Sequence, residues 1–81
     1  MISQLKNGKK VVGLKQTRKA VVGGRAGAVF LAFDADPAVT GPIAALCQEK
    51  AILLESDVTM KELGTVCGIS VGASAAALLK E

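Results

Sequence analysis

The chain has no histidine, no tryptophan and no tyrosine, and only two phenylalanines, two cysteines and two prolines in 81 residues. Without histidine, the commonest general base and the commonest neutral metal ligand are both missing. Cys47 and Cys67 stand twenty positions apart, whereas a zinc site needs about four ligands at short local spacings. Both thiols fall on apolar positions of expected helices, which reads as structural burial, so neither metal nor cofactor is expected. No apolar run approaches the roughly 18 residues of a membrane span, and the N-terminus lacks the hydrophobic stretch of a signal peptide. The expectation is therefore a cytoplasmic protein with no membrane partner.

Acidic residues are absent from the first 25 positions. That segment holds Lys6, Lys9, Lys10, Lys15, Arg18, Lys19 and Arg25, giving +7. The remainder carries Lys50, Lys61 and Lys80 against seven acids, giving −4, so the net charge is +3. Such polarity suits a polyanion-binding face, although a solvated lysine-rich end has the same composition.

Hydrophobic residues make up 51% of the chain. With so few aromatics, the core must come from alanine, valine, leucine and glycine, in thin and closely packed layers. The length suits one domain, spanning residues 1–81. A short helix is expected at Ile2–Lys6, closed by Asn7-Gly8, then a short strand at Val11-Val12. Leu14 to Val22 has helical periodicity and Gly23-Gly24 ends it. The continuous apolar run Ala28–Phe33 has the character of a strand covered on both faces. After the Asp34-Ala35-Asp36-Pro37 turn comes a helix whose buried stripe is expected from Val39 to Cys47. Ile52–Leu54 reads as a strand. Thr59 and Glu62 fit a capping box, with Met60, Leu63, Val66 and Cys67 on one helix face and Gly68 at its end. Ala75–Leu79 is expected as a buried strand. Alternating elements of these lengths imply a three-layer α/β/α sandwich with a mixed sheet of about four strands.

The chemistry concentrates at Gly13–Lys19. On a helical wheel Lys15, Gln16, Arg18 and Lys19 form one arc, while Leu14, Thr17 and Val21 gather opposite. Gly13 precedes the first turn, where unpaired amides and the helix dipole favour an anion, and glycine admits close approach. Gln16 offers both a donor and an acceptor, so it is able to read a base edge, and a lysine beside it suits guanine O6 or N7.

Gly13-Leu14-Lys15-Gln16-Thr17-Arg18-Lys19-Ala20 resembles the signature of the kink-turn-binding ribosomal L-seven-Ae family. Further matches are Asp34-Ala35-Asp36-Pro37, Leu46-Cys47-Gln48-Glu49-Lys50, Leu63-Gly64 with Cys67-Gly68, and Ile69-Ser70-Val71-Gly72-Ala73, in the family's order and spacing. The Lys15-Gln16 pair and the short length look most like its bacterial YbxF-like branch. The resemblance implies an α/β/α protein that binds kink-turns, RNA bends built on tandem sheared G·A pairs, in ribosomal RNA or a riboswitch-like element. It also implies association with the ribosome.

Carried over by position, Lys15 and Gln16 contact the guanines of the G·A pairs, and Lys19, with Arg18 in the same arc, meets backbone phosphate. Gly13 gives access. The loop Ile69–Ala73 lies against bulged nucleotides, with Ile69 and Val71 as its apolar contacts and Gly72 and Ala73 completing it. Asp36 matches an acidic position that meets an extruded base. As an Asp directly before Pro37 it is also a natural helix N-cap, and the cap is the favoured reading. Many archaeal and eukaryotic members have Asn-Glu at Lys15-Gln16. Glu only accepts hydrogen bonds, which suits guanine N1–H and N2–H, so Gln16 implies weaker binding to a standard kink-turn. Where some members carry a basic residue this chain has Met60, which leaves a backbone contact there to Lys61.

Two other readings have different consequences. An enzyme of phosphate chemistry around Gly13, Asp34 and Asp36 would take a small-molecule substrate, but the chain lacks histidine and a phosphate-loop lysine pattern; no enzyme is expected. A ribosomal structural or protein-interaction module would bind many RNAs with a steep salt dependence and little discrimination. No feature points to an oligomer, so a monomer is expected.

Overall fold

The computed structural model describes residues 4–80. Its elements are α1 (Gln4–Asn7), β1 (Lys10–Val12), α2 (Leu14–Val22), β2 (Ala26–Ala32), α3 (Pro37–Glu49), β3 (Leu53–Val58), α4 (Met60–Val66) and β4 (Ala75–Leu79). The strands form one sheet in the order β1-β4-β2-β3. β4 runs antiparallel to both β1 and β2, whereas β2 and β3 are parallel. A parallel pair cannot be closed by a tight turn, and α3 supplies the crossover between β2 and β3.

Alternation along the strands divides the core into two halves. Val29, Leu31, Ala75 and Ala77 point toward α2 and α3, where they meet Ala20, Val21, Ile43 and Cys47. Ala28, Phe30 and Ala76 point the other way, toward Leu5 of α1 and Leu63 of α4. The sandwich expected from the sequence is the observed architecture. Ala75, Ala76 and Ala77 are fully buried in a central strand. Their small side chains let helices approach from both sides, and the molecule is only 19 Å thick in its shortest dimension.

The helix ends follow from local chemistry. Asp36 caps α3, its carboxylate accepting from the Ala38 amide at 2.9 Å, with Pro37 in the first turn. Pro42 stands inside α3 without an N–H to donate, but both it and Ala38 are exposed, so the freed carbonyl is open to solvent. Thr59 and Glu62 form the reciprocal capping box of α4. Gly68 at φ +77° closes α4, with its amide on the Thr65 carbonyl and that of Ile69 on the Gly64 carbonyl, the paired bonds of a Schellman ending.

Several expectations need correction. The helix expected at Ile2–Lys6 is seen as Gln4–Asn7, and Ile2 lies outside the described residues. β2 starts two residues before Ala28 and ends at Ala32. Phe33 has left the sheet and is 63% exposed, because the chain turns at Asp34 before the helical layer begins at Pro37. Val39 is exposed as well; the buried face of α3 rests on Ile43 and Cys47. β3 runs from Leu53 through Glu55, Ser56 and Asp57 to Val58, longer and more polar than an Ile52–Leu54 strand. It is an edge strand, where Ser56 and Asp57 are exposed to water, and apolar runs alone do not mark its extent.

Burial raises the pKa of the Cys47 thiol. The half-buried Cys67 thiol is also raised by burial, with the Lys10 ammonium drawing it partly back. Among the described residues no group of His, Cys, Asp or Glu is placed to hold a metal ion, and no helix is long and apolar enough to cross a membrane.

Candidate nucleic-acid interface

One end of the sheet gathers the C-termini of β1, β2 and β3 and the start of β4. Backbone bonds knit that end together. The Gly13 amide donates to the Ala75 carbonyl at 2.8 Å, Ala32 to Ser74 at 2.9 Å, and Phe33 to Val58 at 2.9 Å. The Met60 amide donates to an Asp34 carboxylate oxygen at 2.8 Å, and the Ala73 amide to the Met60 carbonyl at 3.0 Å. The segment Ile69–Ser74 is therefore tied to the end of β2 through Ser74 and to the start of α4 through Ala73, and the residue that follows it, Ala75, is bonded to the start of α2.

Gly13 holds φ +102° and ψ 157°, a conformation that side chains rarely adopt, and a β-carbon there would meet nothing within 4 Å. Glycine is thus required by the backbone and leaves open space beside it. With no side chain to cap α2, the first-turn amides remain available to solvent or an anion. Lys15, Gln16, Arg18 and Lys19 are all exposed on α2, while Thr17, Ala20 and Val21 are buried beneath them. The arc expected from the helical wheel is the solvent face of this helix.

Across the rim Ile69 is 38% and Val71 69% exposed, an apolar surface facing water. Gly72 is exposed and packs its backbone against Met60. Ala73 is buried, so its side chain is not part of the surface; its amide fastens the loop instead. A cleft of about 380 Å³ lies in front of these residues, lined by Asp34, Met60, Lys61, Thr65 and Ile69–Gly72. Lys61 is exposed at its wall, beside the half-buried Met60. Asp36 is exposed at the same end with one carboxylate oxygen committed to the α3 cap. Gly13, the α2 arc and the Ile69–Gly72 loop are brought to one rim, although about fifty residues separate them in sequence.

Three supporting residues carry no RNA-binding role in the sequence reading. Asp34 fixes the start of α4 from 26 positions away, a long-range bond that no local pattern announces. Gly64 is buried, and a β-carbon on it would come within 2.2 Å of the Val71 carbonyl oxygen. A glycine in mid-helix is costly unless another backbone comes close, and that cost is the signal available in the sequence. Phe33 adds an open aromatic ring to the same end of β2.

Comparisons with known proteins bear on the family and the fold. Residues 2–81 match the model of the ribosomal protein L7Ae/L30e/S12e/Gadd45 family. An RNA-binding protein of Caldanaerobacter subterraneus subsp. tengcongensis is 49% identical over 69 residues, covering 85% of this chain and 84% of the relative. The RNA-binding protein YbxF of Geobacillus stearothermophilus is 40% identical over 76 residues, covering 94% and 93%. Among solved structures, a Giardia lamblia 15.5 kD RNA-binding protein superposes with a TM-score of 0.91 at 26% identity, over 99% of this chain and 71% of that one. A Bacillus halodurans protein of unknown function shares the fold, with a TM-score of 0.87 at 20% identity, over 98% and 83%. The chain is a member of the ribosomal protein L7Ae/L30e/S12e/Gadd45 family.

Proposed function

We propose that this protein binds RNA at the α2 rim, recognises the kink-turn, and holds it in its bent form, in association with ribosomal RNA or a riboswitch-like element. The observation that carries the reading is the Gly13–Ala75 backbone bond, which sets the polar face of α2 beside an exposed apolar loop. Two chemically different surfaces side by side suit a bend better than a straight duplex. Regular RNA helices keep base edges in a deep, narrow major groove, whereas a kink widens that groove and unstacks bases.

Each part of the rim has a task in this scheme. Lys15 and Gln16 reach guanine edges of the sheared pairs, Gln16 supplying an oriented donor and acceptor. Arg18 and Lys19 bind phosphates. Gly13 lets the RNA backbone approach the first-turn amides, where the helix dipole favours negative charge. Ile69 and Val71 cover the faces of bulged bases, with Gly72 keeping that loop low. Asp36 retains one uncommitted oxygen for an extruded base, while Ala73 acts from beneath by holding the loop. Because these contacts exist only with bent RNA, binding shifts the RNA's own equilibrium toward the kinked form. No small molecule, metal or cofactor enters this mechanism, and a monomer suffices.

Titration against a kink-turn RNA and a control with disrupted G·A pairs tests the reading. Base contacts worth about 1–3 kcal/mol each predict tighter binding to the kink-turn by at least about tenfold. Equal affinity for both RNAs at moderate salt would overturn it and favour a module with non-specific RNA affinity.

A further inference from the structure

The seven cations of the first 25 residues do not form one surface. Three of them, Lys15, Arg18 and Lys19, project from α2. The others collect at the far end of the sheet. There the Leu79 amide donates to the Lys9 carbonyl at 2.8 Å and the Lys80 amide to the Arg25 carbonyl at 2.8 Å. With Lys10 opposite Leu78, the entry of β1, the exit of β4 and the entry of β2 lie side by side. Lys9, Lys80 and Arg25 thus span three adjacent strands, about 10 Å across at ~4.8 Å per strand. All three are exposed, and Lys6, three positions before Lys9, is exposed on the last turn of α1. Glu81 is the one acid adjacent to this group in sequence, since residues 1–33 contain none.

The charge is also sorted across the sheet. Glu55 and Asp57 belong to β3, the edge strand on the side away from β1. Exposed Glu49 and Lys50 follow each other at the end of α3, before the entry of β3. At this end the one acid of the described residues therefore lies on the β3 side, and the basic residues face solvent through β1, β4 and β2. A cluster of like charges costs self-repulsion, and a polyanion relieves it.

We infer that this basal end, around Lys9, Arg25 and Lys80, is a second phosphate-binding face, which grips the backbone of an RNA helical arm leaving the α2 rim. The inference rests on RNA binding at that rim. Helix α2 connects the two places: it starts at Gly13 on the rim and ends at Gly23-Gly24, directly before Arg25. Its nine residues span about 13 Å at ~1.5 Å each, close to the roughly 17 Å of five-residue β4. Lys15 and Lys19, four residues apart on one helix face, continue into Arg25 and Lys80 as a track of positive charge. A helical arm lying along α2 passes over that track. An RNA already held at the rim meets the base at high effective concentration, so modest contacts there gain weight. An acidic protein has no such tether to the adjoining face, which is why the phosphate backbone is the favoured occupant.

The test uses two kink-turn RNAs that differ only in one arm, short in the first and lengthened by a full helical turn in the second. Amine acetylation read by mass spectrometry reports which lysines each RNA shields. Lys15 and Lys19 should be protected by both RNAs, and Lys9 and Lys80 by the long-armed one alone. The Lys9→Glu/Lys80→Glu variant should lose about tenfold in affinity for the long-armed RNA and stay within about twofold for the short one. The log–log salt slope for the long-armed RNA should fall by about two in that variant. Unprotected Lys9 and Lys80 with both RNAs would overturn the inference, as would equal weakening of both RNAs by the variant. Absence of protection at Lys15 and Lys19 marks failure of the rim reading instead, and is scored independently of the basal lysines.

Discussion

The Gly13 amide donates to the Ala75 carbonyl at 2.8 Å, which joins the start of α2 to the strand that follows the Ile69–Ser74 loop. This bond extends the β1–β4 ladder by one step beyond the Val12–Ala76 pair. It couples the stability of the sheet to the shape of the rim, so changes at the rim have readable effects on both.

Gly13→Ala should destabilise the protein by about 1–3 kcal/mol, because its φ of +102° strains any side chain even though a β-carbon meets nothing. Denaturant unfolding checks this. RNA affinity should fall further than stability alone explains, since the added methyl sits where the backbone is open. An alanine variant of unchanged stability would contradict the backbone argument.

Gly64→Ala should act through the loop. The new β-carbon would collide with the Val71 carbonyl oxygen, which belongs to backbone and has no rotamer to move. Overpacking of this kind costs about 1–3 kcal/mol. Amide exchange should quicken at Ile69–Ala73 before it does so in α2, and wild-type exchange rates in that loop would count against a displaced Val71.

Thr17→Val should stabilise the fold. Thr17 is fully buried and its hydroxyl has no hydrogen-bond partner among the described residues. Replacing an unsatisfied hydroxyl by a methyl of the same shape should raise unfolding free energy by about 1 kcal/mol. A loss of stability would mean that the hydroxyl has a partner, such as an ordered water.

Gln16→Ala and Lys19→Ala should separate base reading from phosphate binding. The first should narrow the difference between a kink-turn and its disrupted control, by about 1–3 kcal/mol of discrimination. The second should weaken both RNAs alike and lower the salt slope by about one. Full discrimination in Gln16→Ala would show that another residue reads the bases.

What the sequence reveals of this molecule depends on how local the cause is. Helix α2 is fully specified by nearby residues: periodicity from Leu14 to Val22, Gly13 before it and Gly23 after it. The Thr59–Glu62 capping box and the Asp36 cap are equally local and were legible for the same reason. The errors arise where tertiary position decides. Phe33 and Val39 are apolar and expected inside, but the turn at Asp34 carries Phe33 past the sheet, and Val39 in the first turn of α3 faces solvent. The polar half of β3 is strand because β2 offers it a partner, although its own residues do not advertise it. The Asp34–Met60 bond and the Gly64–Val71 contact join segments that only the folded topology brings together. The two ends of the basic N-terminal third look continuous in sequence, and only the strand order separates them.

The central claim is that the α2 rim selects a bent RNA. Fluorescence energy transfer between dyes on the two arms of a kink-turn, followed as protein is added without divalent cations, measures that selection directly. The account predicts a rise to high transfer for the kink-turn and none for an RNA whose G·A pairs are disrupted, with Gln16→Ala lessening the contrast. Binding that leaves the arms extended, or that brings both RNAs to the same transfer, would contradict it.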